Sequence, residues 1–168
     1  MKKKVRRKPG QKKTRILVVD DHAVVRQGLI KLINEESDLV VCAEADSASQ
    51  ALEALDRQEI DLAIVDISLE GMSGLELTEI MKLRRPNLIV LILSMHDGLL
   101  YAQRALRAGA AGYVAKHEAA EKIIAVIRLV LSGKIYVSDS KVVQMLSDTT
   151  ADDSGAGDPD QGRSSNRS

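Results

Sequence analysis

The sequence predicts an α/β domain in which helices cover both faces of a parallel five-stranded sheet. Between residues 16 and 132, short apolar runs alternate five times with amphipathic stretches of helical length. The apolar runs are continuous and do not alternate with polar residues, which is typical of strands buried on both faces. Because helices that join parallel strands follow right-handed crossovers, the pattern indicates an open, doubly wound domain.

The strands are predicted from the five apolar runs. Most of these runs are rich in Val, Ile and Leu, and several end in a polar residue, as strands that lead into a loop do. In chain order, the predicted strands are 16–20 (ILVVD), 39–45 (LVVCAEA), 62–66 (LAIVD), 88–94 (LIVLILS) and 112–115 (GYVA).

The helices are predicted from the amphipathic stretches, and several of their ends carry start or stop residues. Ser47 and Ser73 precede the second and third stretches, and a serine hydroxyl at this position caps a helix start. Pro86 follows the third stretch and Gly109 the fourth, and both residue types end helices. In chain order, the predicted helices are 22–34, 47–57, 73–84, 98–108 and 118–132.

The formal net charge is zero, but positive and negative charges are concentrated in different segments of the chain. Of the 24 Lys and Arg residues, nine lie within residues 1–15, a stretch that contains no acid. Residues 16–146 carry 13 basic and 19 acidic groups, so the predicted domain is acidic. We predict a basic disordered arm, a globular domain, a short linker helix with Ser138 as N-cap, and a disordered tail. Their ranges are 1–14, 15–135, 136–147 and 148–168.

Composition excludes several classes of function. The chain has no Phe, no Trp and three Tyr, which argues against an aromatic platform for single-stranded nucleic acid. A single cysteine, Cys42, permits no intramolecular disulfide, and three scattered histidines do not complete a Cys/His zinc site. The longest wholly apolar run, 88–93, is far shorter than a membrane span, and the basic N-terminus precedes no signal region. We therefore expect a cytoplasmic protein with no membrane partner.

Polar residues collect where the predicted strands end. Asp20 and Asp21 follow the first apolar run, Asp66 ends the third, Ser94 ends the fourth and Lys116 follows the fifth. Ligands of open parallel sheets bind at this edge. Three carboxylates placed together repel one another unless a cation neutralises them, and an all-oxygen site suits Mg²⁺. We expect a magnesium site here.

The segments ILVVDDHAVVRQGL, IVDISLEGMSGLEL, ILSMHD and AGAAGYVAKHEAAEKIIAVI resemble the receiver domain of bacterial two-component response regulators. The resemblance covers roughly residues 14–135 and is strongest to the LuxR/NarL-type subfamily. It implies a flavodoxin-like (βα)5 fold with strand order 2-1-3-4-5. It also implies a signalling switch that catalyses only its own phosphorylation and dephosphorylation.

The resemblance implies a role for each residue at the strand ends. Asp66 would be the phosphoacceptor, and Asp20 and Asp21 would hold Mg²⁺ together with Asp66 and the backbone carbonyl of Ser68. Ser94 and Lys116 would each contact a phosphoryl oxygen, in line with the positioning and charge neutralisation that phosphoryl transfer requires.

Further residues are implied to switch the domain or to tune its chemistry. Ser94 would move toward the phosphoryl group, and Tyr113 would rotate into the space that opens. Ser68 and His96 would border the phosphoryl group and tune its hydrolysis. In two loops the sequence departs from the pattern of many receivers, because Leu69-Glu70 replaces Met-Pro and His117 replaces the proline after Lys116. We expect a trans peptide after Lys116, since a cis bond before a residue other than proline costs about 2.5–4 kcal/mol.

The resemblance also implies partners. A sensor histidine kinase would supply the phosphoryl group, and the first and fifth helices would form a homodimer. The fifth helix is apolar nearly all round, and we expect its dimer face at Ile123, Ile124, Ile127, Arg128 and Leu131. The subfamily's output is transcription, but the residues after 147 cannot build a helix-turn-helix. The chain is therefore a fragment cut in a linker or a stand-alone receiver, and it would bind DNA specifically only through a separate or lost domain.

Simpler interpretations remain open for most of these residues. Ser94 could be the N-cap of the fourth helix, Tyr113 a fixed core residue, and His22 a surface loop residue. An alternative function is nonspecific DNA binding by the basic arm, through release of counterions from phosphates. A phosphatase of similar topology would need a second Asp two residues after the nucleophile, and position 68 is Ser.

Overall fold

The computed structural model describes residues 12–96 and 98–138, which form one sheet with helices on both sides. The strands are β1 (Thr14–Val19), β2 (Leu39–Ala45), β3 (Leu62–Asp66), β4 (Ile89–Ser94), β5 (Gly112–Ala115) and β6 (Tyr136–Val137). The helices are α1 (Ala23–Asn34), α2 (Ala48–Arg57), α3 (Gly74–Arg84), α4 (Leu99–Arg107) and α5 (Lys116–Leu131).

All strand pairs are parallel, in the order β2-β1-β3-β4-β5-β6. This confirms the flavodoxin-like order expected for the first five strands and adds a sixth strand at the edge. The side chains of Ser47 and Ser73 accept from the amides of Gln50 and Glu76, so both serines cap helices as predicted.

Successive residues of each strand enter two separate cores, as the period of a strand requires. In β1, Leu17 and Val19 face the core under α2, α3 and α4, whereas Ile16 and Val18 face the core under α1 and α5. All four side chains are fully buried. The continuous apolar runs thus reflect strands covered on both faces, and the polar groups at the strand ends lie beyond these cores.

Two predictions about the C-terminal part were wrong. Tyr136 and Val137 form β6 where the start of a linker helix was expected, because they extend the exposed edge of β5. Ser138 hydrogen-bonds to β5, and the residues of the helix that it was expected to cap lie outside the described part of the chain. Helix α5 begins at Lys116, two residues earlier than expected. The rest of the expected linker helix, the tail and residues 1–11 of the arm lie outside the described residues.

The expected dimer face on α5 also needs correction. Ile123 and Ile127 have no exposed surface and belong to the core under α1 and α5, so they cannot meet a second copy of the domain. Arg128 binds Asp38 at 3.1 Å within its own chain. Of the five residues, Leu131 is the exposed apolar one. In the part of the chain that the structure describes, no helix combines the length and apolarity that crossing a membrane requires.

Candidate functional site

Three carboxylates meet at the carboxyl ends of the neighbouring strands β1 and β3. Asp20 directly follows β1 and Asp66 ends β3, and the preceding residues Val19 and Val65 are register partners in the sheet. The carboxylates of Asp20 and Asp66 are almost completely buried, at 0% and 1% exposure, whereas that of Asp21 is partly exposed. The strand-end pattern therefore placed all three carboxylates correctly at one edge.

Lys116 supplies a buried positive charge to this cluster. Its ammonium Nζ lies 3.0 Å from Asp66 Oδ2 and 3.0 Å from Asp20 Oδ2, and its side chain is 5% exposed. Burial by itself lowers the pKa of Lys116, but its hydrogen bond to Asp66 and the negative charges of Asp20 and Asp66 outweigh this effect and leave the pKa raised. Lys116 is therefore a fixed cation at neutral pH, held by the two carboxylates.

His22 also belongs to the cluster, although a surface loop position was expected for it. Its Nδ1 atom lies 3.1 Å from both Asp20 Oδ1 and Asp21 Oδ1, and 3.3 Å from Lys116 Nζ. Its main-chain amide donates to Asp20 Oδ1 at 2.8 Å. The sequence signal was adjacency to Asp20 and Asp21, which fixes the backbone near the site but does not reveal which way the ring turns.

The donor set fits a divalent cation. One ligand atom each from Asp20, Asp21, His22 and Asp66 lies within 4.8 Å of all the others. Asp20 Oδ2 is buried and accepts no hydrogen bond, because the contact with Lys116 has ion-pair distance but not hydrogen-bond geometry. The three carboxylates carry more negative charge than the single ammonium of Lys116 neutralises, and oxygen ligands suit Mg²⁺. The cluster therefore has the chemistry of a magnesium site.

The loops beside the cluster are tied to its residues. The amide of Ser68 donates to Asp66 Oδ1 at 3.1 Å. Arg26, in α1, donates to the main-chain carbonyl of Asp20 at 2.7 Å. A Cβ atom on Gly74 would lie 2.2 Å from the carbonyl oxygen of Asp66, so only glycine allows this close approach. Neither Arg26 nor Gly74 was among the predicted site residues.

Ser94 and Tyr113 are both linked to the main chain of His96. Ser94 is fully buried at the end of β4, and its Oγ accepts from the His96 amide at 2.9 Å. Tyr113 is 3% exposed, and its hydroxyl donates to the His96 carbonyl. The His96 ring stacks on Tyr101 with ring centroids 4.8 Å apart. Gly98 occupies the N-cap of α4, so the interpretation of Ser94 as that cap was wrong.

The peptide bond after Lys116 is trans, as expected, and the described residues contain no cis peptide. Lys116 reaches the carboxylates even though His117 follows it. The structure therefore brings together the predicted metal residues, the predicted phosphoacceptor and the predicted lysine, with Ser94 on the adjacent strand.

The sequence and fold of this chain match known proteins. Residues 16–128, more than half of the chain, match the family model described as the response regulator receiver domain. The chain belongs to this family. The receiver domain is also 36% identical to the transcriptional activator protein ExaE of Pseudomonas putida over 130 residues, which are 77% of this chain and 61% of ExaE. The chain thus spans less than two thirds of the length of this relative.

Solved structures show the same receiver fold. A two-component response regulator of the LuxR family from Aurantimonas sp. SI85-9A1 is similar with a TM-score of 0.75 and 31% identity, over 83% of this chain and 99% of that chain. The signal receiver domain of NarL from Mycobacterium tuberculosis is similar with a TM-score of 0.69 and 28% identity, over 73% of this chain and 99% of that chain. The receiver relatives are therefore of the LuxR/NarL type.

Proposed function

We propose that this receiver domain is a phosphorylation-dependent signalling switch that accepts a phosphoryl group on Asp66 from a sensor histidine kinase. The observation that carries the proposal is the buried Asp66 carboxylate with the Lys116 ammonium 3.0 Å away and Asp20 beside both. A buried carboxylate that is held this closely by a fixed cation is a functional-site candidate on physical grounds.

In the proposed reaction, a carboxylate oxygen of Asp66 attacks the phosphorus of a kinase phosphohistidine or of a small acyl phosphate. A P–O bond forms to Asp66, and the bond from phosphorus to the imidazole nitrogen or to the acyl oxygen breaks. Water later attacks the same phosphorus, which releases inorganic phosphate and restores the Asp66 carboxylate. The domain therefore changes state without making a lasting product.

The residues around Asp66 bind the oxygens of the transferred phosphoryl group and neutralise their charge. Lys116 pairs with one oxygen of the transferred group, and the Ser94 hydroxyl donates to another. Mg²⁺, held by Asp20, Asp21, Asp66 and the Ser68 carbonyl, would neutralise charge on the oxygens of the phosphoryl group when bound. Ser68 and His96 border the phosphoryl group and tune its hydrolysis.

The hydrogen bonds of the His96 main chain support a conformational change that passes from the phosphoryl group to the surface of the domain. The amide of His96 donates to Ser94, and its carbonyl accepts from Tyr113. When the Ser94 hydroxyl turns to the phosphoryl group, it no longer accepts from His96. The His96 main chain then shifts and carries the Tyr113 hydroxyl with it, so the face around α4 and β5 changes. Tyr113 is already buried in this structure, which supports an inward position as one of its two states.

The output proposed for the switch is control of transcription through altered dimerisation. ExaE is a transcriptional activator by name, and this supports such an output here. The dimer would form at α1 and α5, with Ile124 and Leu131 as its apolar residues now that Ile123 and Ile127 belong to the core. The family match supports the receiver function and not DNA binding by the basic arm, of which residues 1–11 lie outside the described residues.

The proposal is tested by incubating the protein with acetyl phosphate and Mg²⁺ and measuring its intact mass. We expect a mass increase of one phosphoryl group that disappears with a chelator and in Asp66→Asn. Asp46→Asn is the matched control, because Asp46 follows β2 at the same sheet edge and is exposed. Labelling that persists in Asp66→Asn, or a complete lack of labelling in the unaltered protein, would contradict the proposal.

A further inference from the structure

The hydroxyl of Ser138 lies at the junction between β5 and α5, where Lys116 begins its helix. Its Oγ accepts a hydrogen bond from the main-chain amide of Ala115 at 2.8 Å. The Ser138 amide donates to the carbonyl of Tyr113 at 3.0 Å, and the hydroxyl donates weakly to the same carbonyl at 3.4 Å. Ser138, directly after β6, is therefore hydrogen-bonded to Tyr113 and Ala115, the two neighbours of Val114 in β5.

This contact extends the sheet beyond its main-chain ladder. Strand β6 pairs with β5 at two positions, Gly112 with Tyr136 and Tyr113 with Val137. In a parallel ladder, every second residue donates to a carbonyl of the same neighbouring strand, so Ala115 is the next donor toward β6. The hydroxyl oxygen of Ser138 takes the place of that carbonyl. A side chain thus holds the main chain at the residue immediately before Lys116.

On its β4 side, Ala115 is held by the sheet ladder, in which it is the register partner of Ser94, so the Ser138 bond fixes the opposite side. Ala115 is the N-cap residue of α5, and its methyl group offers no capping oxygen. His117 follows Lys116, so no proline ring restrains the first turn of the helix. Ala115 is 1% exposed, which leaves its amide little access to water if the Ser138 hydroxyl is removed. The hydrogen bond to Ser138 is therefore the side-chain contact best placed to fix the backbone position from which the Lys116 side chain extends.

We propose that Ser138 is a positioning residue for Lys116, and that its hydroxyl holds the Ala115 main chain so that Lys116 Nζ reaches Asp20 and Asp66. This inference rests on the proposed function and deepens it, because the lysine contacts the phosphoryl group there. Ser138 itself touches neither Asp66 nor the transferred group. Its effect on the reaction passes through the main chain of Ala115.

The first test compares Ser138→Ala with Ser138→Thr, which keeps the hydroxyl. The measured quantity is the rate of Mg²⁺-dependent labelling of Asp66 by acetyl phosphate, followed by intact mass. We expect Ser138→Ala to label slower by on the order of 10-fold, since small displacements of a reacting group have large effects on rate. Ser138→Thr should label at the unaltered rate. Equal rates for both variants and the unaltered protein would overturn the inference.

A matched control separates positioning from general loss of a hydrogen bond. The Ser132 hydroxyl donates to the Leu129 carbonyl at 2.6 Å, at the far end of α5 from Lys116. Ser132→Ala should leave the labelling rate unchanged. In a Lys116→Ala background, Ser138→Ala should slow the residual labelling no further, because the side chain that it positions is gone. The same slowing in both backgrounds would show that Ser138 acts on something other than Lys116.

A second measurement decides the inference without phosphorylation. In protein that carries ¹³C-labelled lysine, we expect Ser138→Ala to move the NMR signal of the Lys116 ε-methylene group, which is assigned with Lys116→Arg. Ser138→Cys keeps the side-chain volume with a weak acceptor and should move the signal in the same direction. An unmoved signal overturns the role of Ser138. If the unaltered protein is not labelled by acetyl phosphate, the proposed function is contradicted instead. The NMR spectrum would still test whether Ser138 positions Lys116.

Discussion

The guanidinium of Arg26 donates to the main-chain carbonyl of Asp20 at 2.7 Å, so helix α1 reaches back to the residue that follows β1. The Nε atom of the same guanidinium binds Glu44 of β2 at 3.1 Å. With 15% of its side chain exposed, Arg26 is largely screened from water. The two contacts fix the turn that carries Asp20 and Asp21 to α1 and to the neighbouring strand.

Replacement of Arg26 by methionine should weaken Mg²⁺ binding and lower the free energy of unfolding. The Asp20 carbonyl would lose its charged donor, and a partly buried acceptor left unpaired costs about 1–3 kcal/mol. Urea unfolding measures the stability, and calorimetric titration measures Mg²⁺ affinity. Arg57→Met is the control, because the Arg57–Glu53 pair is exposed and should contribute about 0–1 kcal/mol. Unchanged Mg²⁺ affinity in Arg26→Met would contradict the role of this arginine.

Replacement of Gly74 by alanine should destabilise the domain and slow the labelling of Asp66. The added Cβ would lie 2.2 Å from the Asp66 carbonyl oxygen, so the loop after β3 must move. Overpacking of this kind costs about 1–3 kcal/mol. Gly28→Ala is the matched control: Gly28 lies within α1 with open space around it, and we expect a gain of about 0.5–1 kcal/mol there. Chemical denaturation should therefore show a lower free energy of unfolding for Gly74→Ala and a higher one for Gly28→Ala than for the unaltered protein.

Tyr113→Phe should leave the fold intact and change the behaviour of the loop after β4. The substitution removes the hydrogen bond to the His96 carbonyl and keeps the buried ring. We expect a loss of about 1 kcal/mol in unfolding free energy and a changed lifetime of the phosphorylated protein. Tyr101→Phe, which keeps the ring stacked on His96, should alter neither quantity. Indistinguishable lifetimes for unaltered protein and Tyr113→Phe would argue against its switching role.

Alkaline pH should lower the free energy of unfolding of the domain, because Lys116 loses its proton and its charge. The pKa of this ammonium is raised in the folded state, because Asp20 and Asp66 outweigh the effect of burial. A raised pKa means that the folded state binds the proton more tightly than the unfolded state. The resulting stabilisation is complete below the unfolded lysine pKa, about 10.4, and is lost as the pH rises through the higher folded value.

Urea unfolding with a chelator present, at pH values from neutral upward, would measure this loss. The difference in unfolding free energy between the unaltered protein and Lys116→Met should stay constant at neutral pH and shrink above the unfolded lysine pKa. A difference that grows with pH in that window would have the wrong sign for the proposed pair.

Leu131→Glu should weaken any dimer that forms through α5. Leu131 is an exposed apolar residue at the end of this helix, and a charge there would oppose burial against a second copy. Light scattering with and without beryllofluoride would measure the association. Leu83→Glu on α3 is the matched control, since Leu83 is more exposed but lies on a different helix. A strict monomer under both conditions for the unaltered protein would remove the dimer from the proposed output.

The strand-end rule found Asp20, Asp66 and Lys116 because apolar periodicity alone fixes where parallel strands end. Three other features could not be read in this way. The ring of His22 could have faced either side of its loop, and the role of Gly74 depends on a carbonyl that lies eight residues earlier in the chain. Ser138 matters through Ala115, to which only the pairing of β6 with β5 brings it close.

The fifth helix illustrates a different limit. Its nearly continuous apolar surface suggested surplus area for a partner, but Ile123 and Ile127 fill the space between α5, α1 and the sheet. A run of apolar residues gives the amount of surface that must be covered. It does not tell how much of this surface the same chain covers.

The sixth strand has a consequence for how signals travel through the protein. One hydrogen bond, from Ala115, and one peptide bond separate Ser138, the last residue that the structure describes, from the lysine of the proposed acceptor site. Coupling free energies are reciprocal, so a phosphoryl group that strengthens the contacts of Lys116 and a partner that binds at Ser138 would strengthen or weaken the binding of each other by the same factor. Contacts made at Ser138 would then act as a second input to the proposed switch and set how readily Asp66 is phosphorylated.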